Sequence, residues 1–392
     1  MLLYRLLISL FAAAVLLRHG PSRLSVPDPQ KGPHVWLHGA SNGELASVRP
    51  VLERLVETRP DRRWLVTANT ETGRDMVAGW NLPGVSARLA PVDLQRVTRR
   101  VLREWSVTAH ISLEAEIWAH RFLQCPGPVI LLGARMSEGT ARGWGRVPGL
   151  ARRVLGRVRF ASAQDAASMS RLEALGLPET ARGPVVDLKA FYAPPTVSPP
   201  AEFPRESTWL AASTHEGEEG IVLAAHLAAR ASEPDLRLIL APRHPRRAAE
   251  VRAMAEDLGL TVAQRSLGEP DGTVYLADTM GEMALWYAAA GRVFVGGTMT
   301  DRGGHTPYEP AAFGAALIHG PDVRNFRAAY ARLAGAGAAI AVTGTDDLVQ
   351  ALATLADPAE QARMGDLARE TLRPEAGLET ICDKIAGTLE PG

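Results

Sequence analysis

Cysteine is almost missing from this 392-residue chain; Cys125 and Cys382 stand far apart, without His-rich surroundings. That scarcity argues against a disulfide framework and a structural zinc site, and it fits a reducing compartment. Net charge is missing as well, because Lys+Arg and Asp+Glu both number 43, so there is no broad basic field for a dedicated nucleic-acid binder. No G-x-x-x-x-G-K-[ST] occurs, no G-x-G-x-x-G behind a strand, and no H-E-x-x-H or metal-spaced Cys/His set. ATPase, dehydrogenase and zinc-hydrolase readings therefore fall away. Internal repeats and low-complexity tracts are absent too. The apolar run at residues 6–17 (LLISLFAAAVLL) is broken only by Ser9 and flanked by Arg5 and Arg18-His19. As a helix it covers roughly 18 Å, too short for a bilayer core of about 30 Å. Arg18, Pro21 and Arg23 follow it in place of an A-x-A-type cleavage site. An uncleaved segment lying in the membrane surface, arginines at the headgroups, is the expectation, with a cleaved signal peptide as the alternative.

What is present is a β-then-α rhythm long enough for two domains. Strand-like runs fall at residues 34–38, 64–68, 109–113, 128–132 and 159–163, then at 208–212, 236–241, 273–277, 292–296 and 315–318. Amphipathic helical stretches such as 44–56 and 220–231 lie between them. Alternation of this kind predicts parallel sheets covered by helices on both faces. Residues 192–204 (YAPPTVSPPAEFP) hold five prolines and read as an extended linker. The expected division is a membrane-associated segment at 1–25, a Rossmann-like domain at 26–191, the linker, and a second Rossmann-like domain at 205–392. Two doubly wound domains imply an interdomain cleft, with ligands at the carboxyl ends of strands.

Several candidate site residues sit at those strand ends. In HGASNGE, Ser41-x-x-Glu44 is a capping box on local grounds, and the helix macrodipole would lower the Glu44 pKa; a general base is the alternative. Glu114 and Glu116 end an apolar strand in HISLEAEIW and share one face of an extended chain; solvated loop acids are the simpler account. Ser213-Thr214-His215-Glu216 is either another capping box or an anion holder. Pro242 and Arg243 end a strand in ILAPRHPRR, where an arginine binds phosphate bidentately. Met280, Gly281 and Glu282 open a helix. Residues 296–310 (GGTMTDRGGHTPYEP) form a glycine-rich turn leaving a strand, expected to present unpaired backbone N–H groups to an anion. Glu309 is placed there to accept from ribose hydroxyls. Ordinary turn chemistry accounts for each segment singly, but all of those in the second half gather at strand ends of one domain. Arg146, Arg152, Arg153, Arg157 and Arg159 read as a solvated helix face or as a partner for acceptor or lipid phosphates.

Taken in order, HGASNGE, ANTETGRDM, LEAEIW, GARMSEGTARGW, AASTHEGEE, APRHP, DTMGEM and VGGTMTDRGGHTPYEPAAFG closely resemble the Kdo (3-deoxy-manno-octulosonate) transferases of lipopolysaccharide assembly. The resemblance runs from about residue 34 to the C-terminus. It implies a GT-B glycosyltransferase with two Rossmann-like domains, located on the cytoplasmic face of the inner membrane and using CMP-Kdo as donor. By position it makes Glu44 the base that deprotonates the acceptor hydroxyl, and Glu114 and Lys189 stabilisers of the transition state. Pro242, Arg243, Met280, Gly281, Glu282, Thr306, Pro307, Tyr308 and Glu309 match the CMP-contacting segments. The implied reaction is inverting and needs no metal or other cofactor, because CMP carries one phosphate. The implied acceptor is the lipid A precursor.

This chain also departs from the family pattern. The basic aromatic segment after the membrane run is missing, Asn42 stands close to Glu44, and the acid segment reads Glu114-Ala115-Glu116-Ile117-Trp118-Ala119, losing a threonine and a proline. Thr306 replaces an asparagine, and Pro184-Val185-Val186-Asp187 precedes Lys189. These departures leave open a paralogous transferase with another donor or acceptor, or a degenerate nucleotide-binding membrane protein.

Overall fold

The computed structural model describes residues 2–270 and 272–390. Two compact units emerge, Met1–Phe191 with Pro374–Gly392 and Tyr192–Arg373. The first unit holds β1 (His34–Gly39), β2 (Arg63–Ala68), β3 (Val85–Leu89), β4 (Val107–Leu113), β5 (Val129–Ala134), β6 (Val158–Ala163) and β7 (Arg182–Val185). The second holds β8 (Thr208–Thr214), β9 (Arg237–Pro242), β10 (Val262–Gln264), β11 (Val274–Leu276), β12 (Arg292–Val295), β13 (Ala316–His319) and β14 (Ala339–Ala341). Each unit is a seven-stranded sheet, in the orders β3-β2-β1-β4-β5-β6-β7 and β10-β11-β9-β8-β12-β13-β14. The strand pairs run parallel. Both sheets are doubly wound, and strand order reverses between β1 and β4 and between β8 and β12.

Central strands are rich in apolar residues because helices cover both faces; β1 and β5 are buried at every residue, His34 and His38 of β1 included. All ten strands expected from sequence are present, their ends moved by one or two residues. The four not anticipated, β3, β7, β10 and β14, are the outer strands of the two sheets. Each has neighbours on one side only and is largely half-buried or exposed, so no continuous apolar run marks it.

On the first unit, α1 (Leu2–His19), α2 (Asn42–Thr58), α3 (Glu71–Gly79) and α4 (Gln95–Glu104) precede β4. The second domain was expected to run to residue 392. Instead the chain returns, and the helix Leu378–Leu389 packs Ile381, Cys382, Ile385 and Leu389 into the first unit's core with Val51 and Leu55. Those four apolar residues form one helical stripe that needs an apolar partner, and α2 supplies it. Residues 192–204 carry no helix or strand. Near their end Phe203 is buried against Tyr275 and Trp286, at ring-centroid distances of 4.9 and 6.3 Å.

Candidate functional site

Strand β1 ends at Gly39 and β4 at Leu113, so Glu44 and Glu114 both follow the strands where the first sheet reverses order. Ligands of doubly wound sheets bind at that place, since the connections diverge there and leave the strand ends uncovered. The capping box forms with its return bond shifted by one residue, from the N-cap Ser41 to Ala40. Ser41 Oγ accepts the Glu44 N–H at 3.3 Å, and the Glu44 carboxylate accepts from the Ala40 N–H at 2.8 Å and the Ser41 hydroxyl at 3.1 Å. A lowered pKa was expected from this helix end, and the structure reverses the sign. Burial raises the Glu44 carboxyl to about 7, with Glu114 and Glu116 adding repulsion that the bonds from Ala40 and Ser41 only partly offset. Capping and base readings therefore coexist in one side chain.

Glu114 adopts φ +46°, a left-handed conformation that costs a residue with a Cβ about 1 kcal/mol or more. In that conformation Oε1 meets Lys189 Nζ at 3.0 Å. Burial by itself works against the Lys189 ammonium, but Asp187, Glu114 and Glu44 outweigh it and raise its pKa. The predicted trio Glu44, Glu114 and Lys189 is thus brought together.

Beside the trio runs a chain of hydrogen bonds that the sequence did not reveal. Glu116 Oε2 is 3.1 Å from His38 Nε2 and accepts from Trp118 Nε1 at 2.8 Å. His38 is fully buried, and burial, with Arg121 nearby, drives its pKa down to about 4. His38 Nδ1 lies 3.1 Å from the Thr67 carbonyl oxygen and 2.9 Å from the Thr67 hydroxyl, and Thr67 Oγ1 accepts from Trp36 Nε1 at 2.8 Å. The Glu116 carboxylate and the Thr67 carbonyl both only accept, so the single N–H of the neutral ring serves one of them. The Arg121 guanidinium lies 4.9 Å from the Trp36 ring and 5.4 Å from that of Trp118. Burial opposes ionisation of Glu116, but the His38 and Trp118 bonds prevail and its pKa is lowered. His38 shows no local signal, because its partners come from β2 and from the segment after β4.

The second unit repeats the placement, with residues 215–219 after β8 and 296–309 after β12. Here the glycine-rich turn differs from expectation. The N–H groups of Gly297, Thr298 and Met299 point at the buried Glu218 carboxylate, at 2.7, 2.9 and 2.9 Å, and His215 N–H joins them at 2.9 Å. The turn is an anion nest whose anion is internal. The predicted capping box does not form at Ser213–Glu216; Glu216 is exposed, Ser213 takes φ +58°, and it is the Glu218 carboxylate that accepts the His215 N–H. Glycine is required at 296, where a Cβ would lie 2.5 Å from Ser213 O, and at 297, which has φ +69°.

Around this nest His215 and His305 stack at 5.1 Å, with their Nε2 atoms 2.9 Å apart, and His244 approaches His215 edge-on at 5.9 Å. Burial, then His215, Arg243 and His244, lowers His305 to about 4, so the close pair shares one proton between two neutral rings. Arg243 is exposed, and among the described residues its guanidinium has no hydrogen bond or ion pair. Its positive field opposes the burial that raises the Glu309 pKa. Thr306 Oγ1 accepts the Tyr308 N–H at 3.3 Å, and Pro242, Pro307 and Tyr308 are buried. Met280 is exposed and Gly281 takes φ +87°. The Glu282 carboxylate is spent on Arg265, at 2.7 and 3.1 Å, and on the Thr279 hydroxyl. Of the basic stretch, Arg157 is committed to the Phe122, Cys125 and Gly127 carbonyls, while Arg146, Arg152, Arg153 and Arg159 stay exposed. Among the described residues no group of three or more His, Cys, Asp or Glu is arranged to hold a metal ion.

A family model described as 3-deoxy-D-manno-octulosonic-acid transferase (kdotransferase) matches residues 18–191. The chain is 32% identical to the 3-deoxy-D-manno-octulosonic acid transferase of Bordetella pertussis, over 94% of this chain and 89% of that one. Identity to the Haemophilus influenzae protein of the same name is 29%, over 93% and 89%. Among solved structures, a glycosyltransferase from Rickettsia africae superposes with a TM-score of 0.60 at 11% identity, over 92% of this chain and 98% of that one. At that identity the likeness speaks for the fold alone.

Proposed function

We propose that this chain, which belongs to the 3-deoxy-D-manno-octulosonic acid (Kdo) transferase family, transfers Kdo from CMP-Kdo to the lipid A precursor with Glu44 as general base. The observation that carries the assignment of the base is the Glu44 carboxyl, raised to about 7 beside the Glu114–Lys189 pair at the reversal point of its sheet. A base with a pKa near the working pH combines a useful ionised fraction with a useful proton affinity. In the reaction the acceptor oxygen forms a bond to the anomeric carbon as the bond to the phosphate oxygen breaks. CMP leaves with the electron pair, and the acceptor proton passes to Glu44. Glu114 and Lys189 act as a pair on the transition state: the carboxylate offsets the positive charge gained by the sugar carbon, and the Lys189 ammonium offsets the negative charge that develops on the leaving phosphate. Arg243 meets the departing phosphate, and Glu309 accepts from ribose hydroxyls. CMP has one phosphate and these cations to receive it, so the step is metal-independent in this reading.

The same reading sets the protein at the cytoplasmic face of the inner membrane. Among the described residues no helix is long and apolar enough to cross a membrane. Support for a surface role comes from Leu6, Leu7, Leu10, Phe11 and Leu17 on α1, each more than half exposed. Glu44→Ala, assayed with CMP-Kdo and a tetra-acylated lipid A precursor, is expected to abolish the mass increase of the acceptor while calorimetry still records CMP binding. Normal turnover by that variant would remove Glu44 from the role of base. Product from a different acceptor only would redirect the assignment to a paralogous transferase, which Thr306 and the missing post-anchor segment favour.

A further inference from the structure

The chemistry above leaves unused the outward faces of two helices that pack on one another. On α1, Ile8 and Ala12 are buried and Tyr4 donates its hydroxyl proton to Asp93 at 2.6 Å. Ala12 shares an apolar cluster with Val92 and with Val97 of α4, and Val15 packs against it. The opposite face of α1 carries the exposed leucines and Phe11. On α4 the inward residues Val97, Thr98, Val101 and Leu102 are buried, while Arg96, Arg99, Arg100 and Arg103 are exposed. Spacings of three and four place these arginines on one stripe. Like charges so placed repel within a helix. Elsewhere arginines answer to acids, as Arg49 does to Glu53, Arg252 to Glu256 and Arg363 to Glu360. Among the described residues the four on α4 have no hydrogen bond or ion pair. Arg5 and Arg18 are exposed near the ends of the apolar face.

Both faces are costly in water, and one partner relieves both. A nucleic acid would neutralise the arginines and leave the leucines wet. A second copy paired through the same patch would set arginine against arginine. An anionic bilayer takes leucines among its acyl chains and guanidinium groups at its phosphates. We propose that α1 and α4 form one composite surface for an anionic phospholipid bilayer, which rests on the reading that the protein works at a membrane surface. This surface is continuous with the acid loop: the Phe11 and Trp118 rings lie 6.0 Å apart, and the Trp118 indole donates to Glu116. Docking therefore brings lipid beside the segment that carries Glu114 and Glu116.

The test is sedimentation of the full chain with phosphatidylcholine vesicles and with vesicles in which phosphatidylglycerol replaces part of that lipid. Wild type is expected to partition more strongly onto the anionic vesicles and to lose that preference in high salt. Changing Arg96, Arg99, Arg100 and Arg103 to Ser is expected to weaken binding to anionic vesicles by roughly fivefold per arginine without altering binding to phosphatidylcholine. Thermal unfolding checks that the variant is folded. Leu10→Glu with Phe11→Glu is expected to reduce binding to both lipids. Equal, salt-insensitive binding of wild type to both vesicles, or an undiminished anionic preference in the four-arginine variant, overturns the inference while leaving membrane association standing. Failure of wild type to bind either vesicle overturns the membrane reading itself, and the inference with it. So does lipid-free dimerisation that the Leu10 and Phe11 changes abolish.

Discussion

Replacing Glu44 with Gln keeps its shape and removes its titration, which separates base chemistry from folding. The wild-type carboxyl sits at about 7 against an ordinary 4.5, a difference of 7 − 4.5 = 2.5, or about 3 kcal/mol at 1.36 kcal/mol per unit. Glu44 is half-buried, so screening by solvent reduces that to roughly 2 kcal/mol. Because the folded value is raised, the favourable contribution of the protonated form is complete below about 4.5 and is lost as pH rises through 7. Above pH 7 the fold carries an ionised carboxylate that burial disfavours. A neutral amide escapes that cost, and the charge-assisted bonds to Ala40 and Ser41 exist only for the ionised carboxylate and are already contained in its raised pKa. Glu44→Gln is therefore expected to be more stable than wild type at pH 8.5 by roughly 2 kcal/mol and about equal to it at pH 4, where the wild-type carboxyl is itself neutral. Thermal unfolding at both pH values measures the difference. In parallel, wild-type kcat/KM is expected to rise with a single inflection near pH 7, while the variant falls by roughly 10²- to 10⁴-fold and loses that inflection. A variant equally destabilised at both pH values, or a wild-type inflection near 4.5, would refute the reasoning.

Lys189→Met leaves Glu114 unpaired at a strained backbone position; we expect kcat to drop about 100-fold and stability by roughly 2 kcal/mol, read by steady-state kinetics and calorimetric unfolding. Thr67→Val removes the hydroxyl that links His38 Nδ1 to Trp36 Nε1. Nitrogen NMR should show altered His38 ring shifts in the variant, and thermal unfolding a loss of about 1–3 kcal/mol. His38 titrates below its ordinary value, so its share of stability should grow as pH rises from about 4 to 6.5. Glu218→Ala orphans four N–H groups at the nest and is expected to weaken CMP binding at least tenfold by calorimetry; unchanged CMP affinity would show that the nest does not shape the nucleotide site.

Much of the fold was legible because the central strands are buried on both faces and announce themselves as apolar runs. The same physics hid the outer strands. In β3 every residue is half-buried, so Val85, Ala87 and Leu89 alternate with Ser86 and Arg88, and nothing separates them from an amphipathic turn. The final helix was missed for another reason. Ile381, Cys382, Ile385 and Leu389 declare an apolar stripe, but a stripe states only that a partner exists; which sheet supplies it depends on the path of the chain, not on local pattern.

The site divides along the same line. Ser41-x-x-Glu44 was readable because its bonds close within four residues, yet those local bonds argue for a lowered pKa. The sign is set by burial and by Glu114 and Glu116, which approach from a segment some seventy residues away in sequence (114 − 44 = 70). Residues 296–299 were readable as a nest for the same local reason, and the identity of the anion was not, because Glu218 arrives from the loop after β8. Local sequence thus reports the geometry a backbone makes available, whereas the occupant of that geometry is decided by elements brought alongside. At β1 and β4 the arriving groups are carboxylates, and together with burial they raise the Glu44 pKa. At β8 and β12 an internal carboxylate fills the nest, so in the proposed function the positive charge for a nucleotide has to come from side chains, and Arg243 is an exposed guanidinium that makes no hydrogen bond or ion pair among the described residues.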